Sequence, residues 1–121
     1  MARILIVDDS PSQLMSIRRV VEKLGHDALT AEDGASGVEA AKREIPDLVL
    51  MDVVMPNLNG FQATRQISKE ATTAHVPVIL VTTKDQETDK AWGMRQGAKA
   101  YITKPFTEAE LQEAIKGMIG A

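Results

Sequence analysis

Residues 4–12 read ILIVDDSPS. Four apolar residues, Ile4, Leu5, Ile6 and Val7, run without a break into Asp8 and Asp9. A run that is apolar throughout, instead of alternating, predicts a strand buried on both faces, as in a parallel sheet. Two adjacent carboxylates at its end repel each other and are costly to bury unless a cation sits beside them. The puzzle recurs in DLVLMDVVMP (47–56), where Asp52 interrupts a second apolar run.

Further strand-like runs lie at 27–30, 76–82 and 100–103, with the first and third strands at 3–7 and 48–51. Helical patterns alternate with them. Leu14, Ile17, Val20, Val21 and Leu24 predict a helix over 11–24, with Ser10 as cap, Pro11 in the first turn and Gly25 as the stop. Residues 35–44, 58–70 and 85–97 predict the next three helices. The fifth spans 107–119, where Thr107 and Glu110 have capping-box spacing and Leu111, Ile115 and Met118 share a face. Five strand–helix units imply an α/β fold with a parallel sheet covered on both sides, in one domain over 1–121.

Ligands in such sheets sit beyond the carboxyl ends of the strands. Asp8 and Asp9 follow strand 1, Asp52 ends strand 3, Thr82 ends strand 4 and Lys104 ends strand 5. Three carboxylates on one edge call for a hard divalent cation with oxygen ligands, and Mg²⁺ is the usual ion beside phosphate. A carboxylate nucleophile, a metal, an ammonium and a hydroxyl together describe phosphoryl transfer. Asp52 stands alone at the middle of the edge and is the nucleophile candidate.

Composition narrows the classes. The 121 residues carry a net charge of −3, which argues against a nucleic-acid partner. Cysteine is absent, which excludes disulfides and thiolate chemistry. No apolar run reaches membrane-spanning length and the N-terminus lacks signal-peptide features, so no membrane association and a cytoplasmic location are expected.

VDDS (7–10), LMDVVMPNLNGF (50–61), VTTK (81–84) and AYITKPF (100–106) occur in the order, and on the elements, that resemble the receiver domain of two-component response regulators. The likeness covers essentially the whole chain. It implies a doubly wound, flavodoxin-like sheet in the order 2-1-3-4-5. It implies Asp52 as phosphoacceptor, charged by a phosphohistidine on a sensor histidine kinase or its phosphotransfer domain. It assigns Asp9 as a direct Mg²⁺ ligand, Asp8 as acting through metal-bound water, and the Val54 backbone carbonyl as a further ligand. Lys104 and Thr82 match the family's lysine and hydroxyl, Tyr101 its aromatic switch, and the Lys104–Pro105 bond is expected to be cis. Thr83 departs from the small residue usual after the hydroxyl, which is expected to narrow access to Asp52. MPNLNGFQATRQ (55–66) and VTTKDQETDKAWGMRQGA (81–98) are similar to stand-alone regulators of type IV pilus twitching motility. That narrower likeness implies a downstream protein target in the pilus machinery.

Asp8, Asp9 and Ser10 alone suit a helix cap. Thr82 alone suits a β-branched strand end, and Tyr101 alone a core position. His26 and His75 lack metal-ligand spacing and are expected to face solvent. DGASG (33–37) lacks the lysine of a phosphate loop and predicts a turn and helix start. The six methionines are expected as core filler. A Mg²⁺-dependent phosphatase of the haloacid dehalogenase kind needs a second Asp two positions after its nucleophile. Val54 stands there and cannot protonate a leaving group. A phosphorylation-independent adaptor would not need the full acidic set. The expected function is therefore a signalling switch, not an enzyme with a diffusing substrate. It is expected to act by protein contact, because no output domain follows the fifth helix.

Overall fold

A computed structural model describes residues 1–120. Five strands and five helices alternate: β1 (Arg3–Val7), α1 (Pro11–Lys23), β2 (Asp27–Ala31), α2 (Gly34–Glu44), β3 (Leu48–Met51), α3 (Gly60–Lys69), β4 (Val78–Thr82), α4 (Glu87–Arg95), β5 (Ala100–Thr103) and α5 (Glu108–Ile119). All strand pairs are parallel, in the order β2-β1-β3-β4-β5. The doubly wound sheet expected from the sequence is thus present.

The continuous apolar runs are explained by two cores. Side chains alternate across a strand. Ile4, Ile6, Leu48, Leu50, Ile79 and Val81 face one core, where Ile17, Val21, Leu111 and Ile115 of α1 and α5 pack. Leu5, Val7, Val49, Met51, Val78 and Leu80 face the other, against Val38 and Ala41 of α2 and Ala63 and Ile67 of α3. Each buried aliphatic side chain contributes about 1.5–3 kcal/mol, so the central strands gain on both faces at once. The outer strands β2 and β5 are less buried, as edge strands that keep one side open.

Helix ends follow local chemistry. Ser10 caps α1 through the Gln13 amide, and Gly25 ends it with φ +88°, donating to the Glu22 carbonyl. Asp33 and Ser36 form a capping box at α2, so the 33–37 stretch is indeed a turn and helix start. Thr107 and Glu110 do the same at α5.

Several boundaries differ from expectation. The third helix begins at Gly60, not 58, because Asn59 and Gln62 exchange side-chain bonds with each other's amides and fix the start there. The fourth strand begins at Val78, not 76, since Pro77 has no N–H and the Val76 amide donates to Thr73 instead. The fourth helix spans only Glu87–Arg95, being set by the Gln86–Asp89 box at its start. His26 is half-buried, with Nδ1 accepting the Ala2 amide at 2.9 Å, whereas His75 is exposed as expected. Met51 and Met55 are core residues, but Met1, Met15 and Met94 are exposed, so the core-filler expectation holds only in part.

Candidate functional site

The carboxyl edge of the sheet gathers the residues singled out in the sequence. β1 delivers Asp8, whose amide continues the sheet by donating to the Ala31 carbonyl at 3.1 Å. β3 delivers Asp52, whose amide donates to the Val7 carbonyl at 2.9 Å. These two bonds set the carboxylates side by side. Asp8 Oδ1 is held by the Ser10 amide at 2.9 Å, and Asp52 Oδ1 by the Val53 amide at 2.8 Å. Asp8 and Asp52 are buried, whereas Asp9 is exposed. One oxygen from each of Asp8, Asp9 and Asp52 falls within a cluster 4.8 Å across.

Lys104 supplies the counter-charge. Its Nζ lies 2.8 Å from Asp8 Oδ2 and 3.7 Å from Asp52 Oδ2, with its side chain only 10% exposed. Its amide donates to the Thr82 carbonyl, and the Lys104–Pro105 peptide is cis, as expected. Two carboxylates thus share one ammonium, with a third, Asp9, beside them. Burial pushes the Asp52 carboxyl above its ordinary value of 3.8. Lys104 pulls it down, Asp8 adds a further upward push, and the Val53 and Val54 amides pull it down.

Thr82 is fully buried at the end of β4, and its Oγ1 accepts the Lys84 amide at 3.3 Å. Tyr101 pairs with Leu80, two residues before Thr82, so by alternation Tyr101 and Thr82 share one sheet face. The Tyr101 ring is half-buried against the α2–α3 core, and its hydroxyl donates to the Lys84 carbonyl at 2.7 Å. Burial, with Asp89, Asp85 and Asp52 adding to it, pushes its hydroxyl up to about 12. Thr83 is exposed and lines a cavity of about 450 Å³ with Gln13, Ser16, Lys104, Pro105 and Phe106. Val54 is 55% exposed beside Asp52.

One residue of the site escaped the sequence reading. A Cβ on Gly60 would lie 1.9 Å from the Asp52 carbonyl oxygen and 2.7 Å from the Val53 Cα. The start of α3 therefore presses on the backbone that carries Asp52, and the Gly60 amide donates to the Val53 carbonyl at 3.0 Å. The signal was present in Asn59-Gly60 at a helix start, where a glycine invites the question of what approaches it.

A parallel sheet in this order, with an acidic cluster and a lysine at its carboxyl edge, defines the class. The chain belongs to the response regulator receiver domain family, whose sequence profile matches residues 4–116. It is 59% identical over 119 residues to Protein PilH of Pseudomonas aeruginosa, across 98% of each chain. The chemotaxis protein CheY4 of Vibrio cholerae superposes with a TM-score of 0.91 at 27% identity, over 98% of each chain. So does the receiver domain of a Pseudomonas aeruginosa sensor histidine kinase, with a TM-score of 0.91 at 33% identity over 99% of this chain and 98% of that one. That domain was solved with a magnesium ion coordinated in its active-site cleft.

Two expectations follow. Because Asp52 is raised, ionising it costs the folded chain more than the unfolded one. Its contribution to stability is present below pH 3.8 and is lost as pH rises through the folded value. Asp52→Asn should therefore raise stability at pH 7 without divalent metal, and the gain should shrink under acid. Urea denaturation across pH checks this. For Tyr101 the sign is the same: stability is full below pH 10 and is lost as pH rises towards about 12. Tyr101 is the only tyrosine, so absorbance titration of the whole protein reads it directly and should show a midpoint well above 10.

Proposed function

We propose that this receiver domain takes a phosphoryl group on Asp52 from a phosphohistidine of a sensor histidine kinase or its phosphotransfer domain. The single observation that carries the reading is the clustering of Asp8, Asp9 and Asp52, with the Lys104 ammonium against Asp8 and Asp52. In the transfer an oxygen of Asp52 bonds to phosphorus as the P–N bond to the imidazole breaks, leaving an acyl phosphate. The donor set is three hard carboxylate oxygens, which fits Mg²⁺ in preference to a soft metal. Asp9, being exposed, would hold the ion directly, Asp8 would do so through water, and Asp52 and the Val54 carbonyl would complete the set. Bound there, the ion neutralises charge on the transferring phosphoryl group. Lys104 is already between Asp8 and Asp52 and can follow the phosphoryl oxygens with little movement. Thr82 offers a hydroxyl to those oxygens.

The output is carried by protein contact at the surface of α4, β5 and α5. A Thr82 hydroxyl drawn to the phosphoryl group leaves the Lys84 amide, and Tyr101 is tied to the carbonyl of that same residue. The two side chains are thus linked through one short loop, which is how phosphorylation biases the packing of Tyr101. The likeness to PilH supports a target in the type IV pilus machinery and a role in twitching motility or chemosensory control. No helix among the described residues is long and apolar enough to cross a membrane. A soluble, cytoplasmic switch with slow self-dephosphorylation is the role we infer, with no nucleic-acid partner.

Acetyl phosphate with Mg²⁺ tests the reading by intact-protein mass spectrometry. The wild type should gain one phosphoryl group only when Mg²⁺ is present, and Asp52→Asn should gain none. Lys104→Ala should still be labelled, at a rate lower by about 10²-fold; the exposed Trp92 of α4, whose fluorescence is expected to change when the wild type is labelled, should not respond in this variant. Labelling of Asp52→Asn at wild-type rate would refute the assignment.

A further inference from the structure

Three cations meet on the side of the sheet that α2 and α3 cover. Lys42 of α2 and Arg65 and Lys69 of α3 line one open groove of about 480 Å³, with Leu58 and Glu70 beside them. Gln62 and Gln66 of α3 complete it. All three cations are exposed, and among the described residues none of them enters an ion pair. Other surface cations are matched, as Arg18 is with Glu22 and Lys23 with Glu108.

Folding alone gives no reason for this grouping. Lys42 and Lys69 lie in the last turns of their helices, where positive charge suits the helix dipole. Arg65 lies in mid-helix and gains nothing from that. It stands four residues before Lys69, a like-charge spacing that weakens a helix. Its Nη1 reaches only the Gln96 Oε1, at 3.5 Å, so most of its guanidinium donors are open. We propose that the α2–α3 groove binds an acidic amphipathic helix of a protein partner, at a surface separate from α4, β5 and α5.

Charge and shape select that occupant. The groove runs between two helices, and a third helix laid there meets both. Leu58 is half-buried against the α2–α3 core and offers an apolar seat for a leucine or isoleucine of the partner. Arg65 presents a fork that pairs with a carboxylate through two hydrogen bonds, and Lys42 and Lys69 present point charges. A helix with carboxylates along one side and an aliphatic residue beside them satisfies all of these groups. Glu70, just past α3, disfavours a carboxylate at its end of the groove. A nucleic acid is disfavoured, because the chain has a net charge of −3 and the groove holds no aromatic side chain on which a base could stack. The groove includes neither Asp52 nor Lys104, so binding there does not require phosphoryl transfer.

The experiment is an amide NMR titration of the full chain with a synthetic amphipathic helical peptide built of Leu, Ala and Glu. Shifts should gather at residues 42, 58 and 62–70, and the affinity should fall several-fold as salt rises from about 0.05 M to about 0.5 M. Arg65→Gln combined with Lys69→Gln changes exposed positions only, so the amide spectrum should stay folded while binding weakens several-fold. Lys116→Gln removes an exposed cation of α5 and should match wild type. The same peptide with every Glu replaced by Lys should leave the groove signals in place. Absence of shifts at millimolar acidic peptide, shifts gathered on another face, or wild-type affinity in the folded double variant each overturns the proposal. A single-stranded oligonucleotide that shifts the groove signals more strongly than the peptide also overturns it, since the occupant is then a nucleic acid.

Discussion

The contact between Lys104 and Asp8 holds the carboxyl edge together. It is a buried pair at 2.8 Å, and it joins the end of β5 to the end of β1 across the sheet. A buried ion pair earns its place only when its charges balance. Here they do not, because Asp52 is 3.7 Å from the same ammonium and Asp9 completes an acidic cluster. The site carries more negative charge than one lysine neutralises. That imbalance is visible in Asp52, whose carboxyl is raised by burial despite Lys104. An edge built in this way favours added positive charge, and Asp52 is held in it at some cost in stability.

The rest of the fold serves to hold that imbalance in place. The parallel register places Asp52 beside Val7 and Asp8 beside Ala31, so the carboxylates cannot drift apart without breaking sheet hydrogen bonds. Gly60 closes α3 directly onto the Asp52 carbonyl. Thr82 at the end of β4 and Tyr101 on β5 meet in the backbone of Lys84, one through its amide and one through its carbonyl. The charge imbalance and the α4–β5 surface are therefore separated by a single loop residue.

Much of this was legible in the sequence for a physical reason. Strands buried on both faces must be apolar throughout, so Ile4–Val7, Leu48–Met51 and Val78–Val81 announced themselves, and a charge at the end of such a run stands out. Asp8, Asp9, Asp52, Thr82 and Lys104 were found in that way and lie at one edge. Other features depend on partners that spacing does not reveal. The Tyr101 hydroxyl meets a backbone carbonyl, which any residue at position 84 would supply. His26 accepts an amide from the first strand's lead-in, a contact made by the fold alone. Gly60 matters through what approaches it, and an approach is set by how helices lie on the sheet. Met15 sits on a helix that buries Ile17, Val20 and Val21, and Met94 on one that buries only Gly93, so both stay exposed.

The central claim is that the carboxylate excess at this edge is a site for a divalent cation. Thermal unfolding with and without Mg²⁺ measures it most directly, because an ion that binds only the folded chain raises the midpoint by mass action. The midpoint should rise with Mg²⁺ for the wild type, and should not respond in Asp9→Asn, where an exposed carboxylate of the cluster is removed and the core is left intact. A rise of equal size in Asp9→Asn, or none in the wild type at millimolar Mg²⁺, would contradict the account.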